Sequence, residues 1–185
     1  MCIRDSHDSS LIIRHLEKIE IEPKLIPEGL KEASKAQIIE NWADTTLAKS
    51  IKIVFLEELT KNPTLISSLF DKKISDSMQK LLFNIPTKIA SQISGLINQK
   101  EKESLKLNLE NLSNLINQEN FLIGDKLSIA DISVASHLSL LKFPNSSGKS
   151  LAGKGCSLYI NDPSFQTLFN WRDLIENQVT KTNHN

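Results

Sequence analysis

The sequence is poor in cysteine and in long apolar runs, and each shortage excludes a class of protein. Its two cysteines, Cys2 and Cys156, belong to no C-x-x-C pair and lie near no histidine at metal-ligand spacing. This argues against a disulfide framework and against a zinc site. Apolar runs such as residues 53–56 are far too short to span a bilayer. The N-terminus lacks the apolar stretch of a secretory signal, so we expect a cytoplasmic protein with no metal and no membrane contact.

Neither positive nor negative charge is in excess. The 22 basic and 22 acidic residues cancel, and no cluster of Lys and Arg alternates with aromatic side chains. Nucleic-acid binding depends on a basic surface of that kind, so we expect no nucleic-acid partner. With 185 residues, of which 39% are hydrophobic, the chain can bury the core of one domain, or of one domain and part of another.

We interpret the first six residues as foreign to the native protein. The run MCIRDS reads like a translated sequencing-library adaptor, so we treat residues 1–6 as an artefact and expect the native sequence to begin near His7. Cys2 then has no functional role.

The dominant pattern is helical, and the predicted fold class is all-α, because no strand-like alternation is evident. The longest helix is predicted over residues 29–61, where Asn62 and Pro63 end it. Trp42 widens its buried face, and this residue fits either core packing or the lining of a ligand cleft. Apolar residues recur there every four positions and form one buried face: Ile39, Ala43, Leu47, Ile51, Phe55 and Leu59.

Further helices are predicted over residues 76–98, 101–117 and 129–142. The first contains Pro86, which kinks or splits it because proline cannot donate the backbone hydrogen bond one turn back. The third is apolar on most sides, which places it in the middle of a bundle. A last helix is predicted to begin at Pro163, since proline suits the first helical position.

Two linked contacts are predicted at the start of the helix at 129–142. Ser128 fits the N-cap and Asp131 fits the third helical position, so each side chain can bond a free backbone N–H of the other. This is a capping box with Asp in place of Glu, and Leu127 can also pack on Ile132 as a hydrophobic staple. Each contact stabilises a helix start by about 1 kcal/mol. We interpret these four residues as folding determinants and not as catalytic groups.

Together with the residues before it, this helix start resembles one family. The run FLIGDKLSIADISVASHL is similar to the C-terminal domain of glutathione S-transferases, in which an aromatic-Leu-x-Gly-Asp turn precedes a capped central helix. The resemblance implies an irregular helical bundle over residues 29–179 and a linker at 19–28. It also implies that residues 7–18 are the last helix of a mostly missing thioredoxin-like domain. Residues 180–185 are predicted to be a disordered tail.

The same resemblance assigns glutathione contacts to Asp8 and Ser9. In the family, the last helix of the thioredoxin-like domain begins with an acidic residue or Gln followed by Ser, and these two residues match that pattern. They would hold the γ-glutamyl end of glutathione, since a helix N-terminus favours a carboxylate and an Asp can accept a hydrogen bond from an ammonium group. Ser9 also fits a purely structural role as an N-cap.

The family activates the glutathione thiolate with a Tyr, Ser or Cys of the thioredoxin-like domain, and no residue here fills that role. We therefore expect no catalytic residue in this chain and no conjugation by the chain alone. The full-length protein is expected to be a homodimer that transfers glutathione to small hydrophobic electrophiles or exchanges thiols. Trp42 and Lys49 are the candidate lining of its substrate cleft. The alternative is a non-catalytic interaction module, because the same fold serves as a docking domain in translation and stress-response proteins.

Overall fold

The computed structural model describes residues 12, 13, 15, 17–19, 24–69, 99–116 and 120–182. Within these residues the fold is all-α, as the sequence predicts, and the only extended pairing is an isolated bridge between Lys142 and Gly155. None of the described helices combines the length and the apolar character needed to cross a membrane. The α-helices are α1 (Leu30–Trp42), α2 (Ala48–Lys61), α3 (Pro63–Leu69), α4 (Gln99–Ile116), α5 (Ile129–Leu141), α6 (Ser157–Ile160) and α7 (Gln166–Thr182).

The long helix predicted over residues 29–61 is present, but it is not uniform. A π-helical turn, Ala43–Leu47, joins α1 to α2 without a break. The four-residue repeat of apolar positions continues through this wider turn, so the sequence pattern does not distinguish it from an α-helix. Asn62 ends α2 and begins α3, because its side-chain oxygen accepts hydrogen bonds from the backbone N–H of Leu65 at 3.1 Å and from the hydroxyl of Thr64 at 2.6 Å.

Helix α5 lies at the centre of the bundle. Most of its residues are buried, and it contacts α1, the π-helical turn, α2 and α7. This agrees with the prediction that the helix at residues 129–142 is apolar on most sides and lies in the middle of the bundle. Its buried residues Val134, Leu138 and Leu141 belong to the main core, together with residues of the long helix and α7 that include Leu47, Ile51, Leu168 and Phe169.

Helix α4 packs one face against this core and exposes the other. Leu105, Leu109 and Leu112 are buried, whereas Leu107 is exposed, as a period of 3.6 residues requires. The observed helix is within two residues of the prediction at both ends. The helix predicted over residues 76–98 lies outside the residues that the structure describes.

The end of the chain differs from the prediction at two points. Pro163–Phe165 forms a 3-10 turn, and the last α-helix begins only at Gln166. Asp162 caps the 3-10 turn by accepting a hydrogen bond from the backbone N–H of Ser164 at 3.0 Å. Helix α7 then continues to Thr182, into the segment predicted to be a disordered tail.

Candidate functional site

The start of α5 is built around one buried carboxylate. Asp131 is fully buried, and one of its oxygens accepts a hydrogen bond from the backbone N–H of Leu122 at 2.7 Å. The other oxygen accepts from the backbone N–H of Ser128 at 2.9 Å and from its hydroxyl at 2.7 Å. Both halves of the predicted capping box are present. Burial raises the pKa of Asp131, and the hydrogen bonds from Leu122 and Ser128 oppose that rise.

The turn that precedes α5 is attached to the rest of the bundle at several points. Besides the Leu122 contact, the carbonyl of Asn120 accepts a hydrogen bond from the indole N–H of Trp171 at 2.9 Å. Gly124 has a φ of +65°, a left-handed conformation that glycine adopts without a Cβ penalty. The predicted staple residues Leu127 and Ile132 are both half-buried. Their mutual contact stays a prediction.

The other end of α5 is also capped by a buried charged residue. The guanidinium of Arg172 donates to the carbonyl of Lys142, the C-cap residue that follows α5, and lies 5.8 Å from the ring centre of Phe169. Its Nε donates to Asp173 at 2.7 Å. A helix carries partial positive charge at its N-terminus and partial negative charge at its C-terminus. Asp131 and Arg172 therefore match the charge at the two ends of α5.

Residues before α1 are tied to the same helix start. Ile12, Ile13, His15 and Glu17 are helical. One carboxylate oxygen of Glu17 accepts hydrogen bonds from the backbone N–H groups of Leu25 and Ile26, both at 2.6 Å. The carbonyl of Leu25 in turn accepts from the N–H of Ile129 at 2.9 Å. The role of Glu17 was not predicted from the sequence, because its bonds go to backbone groups, which leave no residue-type signature.

The described residues form at least two concave surfaces that could hold a ligand. The larger, about 780 Å³, lies between the linker and the turn before α5 and mixes apolar with charged side chains, among them Lys24, Pro27, Glu32, Phe121 and Lys126. The smaller, about 220 Å³, lies between α1 and α4 and is lined by Ile39, Trp42, Asn108, Asn111, Leu112, Leu115 and Leu122. Trp42 also packs against the main core, whereas Lys49 is exposed and lines neither surface.

The predicted glutathione contacts, Asp8 and Ser9, lie outside the described residues. Within the described part of the chain, no group of three or more His, Cys, Asp and Glu side chains is arranged to hold a metal ion. Burial raises the pKa of Cys156 to about 12, and the carboxylates of Glu58 and Glu57 add to this effect. The thiol is therefore protonated at neutral pH, which makes it a poor nucleophile.

A polar cluster joins the π-helical turn to α5. One carboxylate oxygen of Asp44 accepts a hydrogen bond from the hydroxyl of Ser133 at 2.7 Å and lies 2.9 Å from Nε2 of His137. The hydroxyl is directed at Asp44 and not at the imidazole, so the three side chains lack the nucleophile-to-base contact of a catalytic triad. We interpret the cluster as a contact between two helices.

Comparison with known proteins agrees with this architecture. The family model of the glutathione S-transferase C-terminal domain matches residues 87–177. The chain is also similar to FtsZ-localized protein A of Caulobacter vibrioides, with 23% identity over 136 residues, which are 74% of this chain and 50% of that protein. The chain thus spans about half the length of this curated relative. No solved structure matches it.

The matched residues include the parts of the structure that define the central helix. They contain α4, the capped start of α5 with Ser128 and Asp131, and Arg172 at its other end. The buried capping box and the family match therefore coincide in the same segment. Residues 87–177 are thus similar to the C-terminal helical domain of the glutathione S-transferase family.

Proposed function

We propose that the full-length protein is a cytoplasmic, homodimeric glutathione S-transferase-like protein that binds glutathione through Asp8 and Ser9. It transfers glutathione to small hydrophobic electrophiles or exchanges thiols with them. The observation that most supports this proposal is the contact of Glu17 with Leu25 and Ile26. It attaches the helical residues that follow Asp8 and Ser9 to the linker, and Leu25 of that linker bonds to Ile129 of the helical domain. A segment that carries ligand contacts binds well only when the scaffold holds it rigidly.

The smaller concave surface supports the choice of a small hydrophobic co-substrate. Its lining is apolar apart from Asn108 and Asn111, and the half-buried ring of Trp42 forms part of it. Small-molecule sites typically combine apolar walls with a few polar groups that orient the ligand. This surface matches that description for a compact electrophile.

Glutathione binding by the full-length protein tests the proposal. Isothermal titration should give a Kd of about 1 mM or tighter, the range typical of enzyme substrates. Ser9→Ala removes a hydrogen bond to a charged carboxylate, so it should weaken binding by about tenfold or more. Ser10→Ala is the matched control and should bind like the wild type. No binding by the wild type, or equal affinities for the two variants, would overturn the proposal.

A second function is supported by the similarity to FtsZ-localized protein A. In this alternative the helical domain is a non-catalytic docking module for a partner of the FtsZ type. Co-sedimentation with assembled and unassembled FtsZ tests it directly. Pelleting that requires assembled FtsZ and is unaffected by Ser9→Ala supports the docking function. A protein that stays in the supernatant under both conditions excludes it.

A further inference from the structure

The linker residue Leu25 uses both of its backbone groups to connect two parts of the chain. Its N–H donates to Glu17 at 2.6 Å, and its carbonyl accepts from the N–H of Ile129 at 2.9 Å. Ile129 is the first residue of α5, where the first four N–H groups have no partner within the helix. Leu25 therefore supplies one of the acceptors that the central helix needs, and Glu17 holds Leu25 in place.

Apolar side chains connect the same two parts of the chain. Ile13 and Leu25 pack against a second core cluster, which contains Ala36, Ile123, Ile129 and Ala130. Ile13 and Glu17 are four positions apart on helical backbone, so they lie on the same face of their helix. One face thus makes an apolar contact with the second core cluster and a charge-assisted contact with the linker residue Leu25, which packs against the same cluster. Two contacts of different type fix the orientation of a segment better than either alone.

The hydrogen bonds of Glu17 form the polar part of this connection. A carboxylate that accepts from two successive backbone N–H groups makes charge-assisted bonds. Bonds of that kind contribute more than neutral ones. The neighbouring Lys18 is exposed, and its backbone N–H donates to the carbonyl of His15 at 3.2 Å. Among the described residues of this segment, Glu17 is therefore a polar anchor.

We propose that Glu17 is a positioning residue that clamps Leu25 and Ile26 against the first turn of α5, so that glutathione binding and the order of that turn are energetically coupled. The coupling to glutathione rests on the function proposed above, whereas the clamp does not. Coupling is reciprocal: if the clamp supports ligand binding, bound ligand must in turn stabilise the clamp.

Amide hydrogen exchange by NMR, with glutathione titration of the full-length protein, tests the clamp. In Glu17→Ala the amides of Leu25, Ile26 and Ile129 should exchange about tenfold faster or more, because charge-assisted bonds are lost. Leu138, in the middle of α5, should be unchanged. Glu17→Gln keeps one oxygen acceptor and should recover part of the protection. Lys18→Ala is the matched control and should match the wild type.

The ligand measurements separate positioning from mere stabilisation. Glu17→Ala should weaken glutathione binding severalfold while the protein remains folded, and Glu17→Gln should restore part of the affinity. Saturating glutathione should slow exchange at Ile129 in the wild type but not in Glu17→Ala. Unchanged exchange at Ile26 and Ile129 in Glu17→Ala would overturn the clamp, and altered exchange with unchanged affinity would overturn its positioning role. If the wild type binds no glutathione, the proposed function fails and the exchange data still decide the clamp.

Discussion

Replacing Asp131 with alanine should destabilise the domain more than any substitution on the surface of the same turn. The change removes the acceptor for the backbone N–H groups of Leu122 and Ser128 and for the Ser128 hydroxyl, in a fully buried site. An unsatisfied buried donor costs about 1 to 3 kcal/mol, and loss of a helix cap costs about 0.5 to 2 kcal/mol. With partial relaxation we expect Asp131→Ala to lower the free energy of unfolding by about 3 to 5 kcal/mol. Asp131→Asn keeps one acceptor oxygen and should cost about 1 to 3 kcal/mol.

Urea unfolding followed by far-ultraviolet circular dichroism measures this difference. For a slope of about 2 kcal/mol per molar urea, a loss of 3 kcal/mol moves the midpoint down by about 1.5 M. Asp125→Ala is the matched control, because Asp125 is an exposed aspartate in the same turn. It should shift the free energy of unfolding by no more than about 0.5 kcal/mol. Equal losses for Asp131→Ala and Asp125→Ala would refute the role of the buried carboxylate.

Two further predictions concern other parts of the fold. Burial raises the pKa of Glu57, but the hydrogen bonds and charges of Lys102 and Lys61 outweigh it, and the net pKa lies below its ordinary value of 4.5. The stabilisation by ionised Glu57 is therefore present above pH 4.5 and is lost as the pH falls through the lowered pKa. Glu57→Gln should cost about 1 kcal/mol at pH 7 and progressively less below pH 4.5, and a pH-independent difference in urea titrations would contradict this. In Gly155→Ala the new Cβ would lie 2.1 Å from the carbonyl oxygen of Leu141, so thermal unfolding should show a loss of about 2 kcal/mol or more. At Gly148 a new Cβ would meet no atom within 4 Å, so Gly148→Ala should lower the free energy of unfolding by about 1 kcal/mol through its positive φ alone. A larger loss at Gly148 than at Gly155 would contradict the close approach of Gly155 to the Leu141 carbonyl.

The sequence predicts those parts of the fold that depend on periodicity and on local residue types. The apolar repeat of residues 101–117 places α4 within two residues, because one helix face must be buried against the core. The pair Ser128 and Asp131 predicts the start of α5, because a capping box is a contact between residues three positions apart. Both features are local, so they are visible in a single sequence.

Contacts between distant residues could not be predicted in the same way. The bond from Leu122 to Asp131 uses a backbone N–H, which every residue type except proline provides. Arg172 looks like a surface arginine in the sequence, and only the folded bundle brings it to the carbonyl of Lys142. The π-helical turn escaped prediction because its apolar residues keep the spacing of the flanking helices.

The candidate ligand site was likewise predictable from the sequence only in part. Asp8 and Ser9 were identified only by resemblance to a family pattern, and they stay predictions. Trp42 lies on an apolar concave surface, as one of its two interpretations requires, but it also packs against the core, as the other requires. Glu17 emerged from the structure alone, because its partners are the backbone groups of Leu25 and Ile26.

Native-state hydrogen exchange at increasing urea concentration tests most directly the central claim that α5 is the doubly capped core helix of the domain. Amides of Val134 and Leu138 should exchange only through global unfolding, so their opening free energy should equal that from urea unfolding. Amides of the short helix α6, such as that of Leu158, should open at a lower free energy. Opening of Val134 and Leu138 well below the global value would contradict the account.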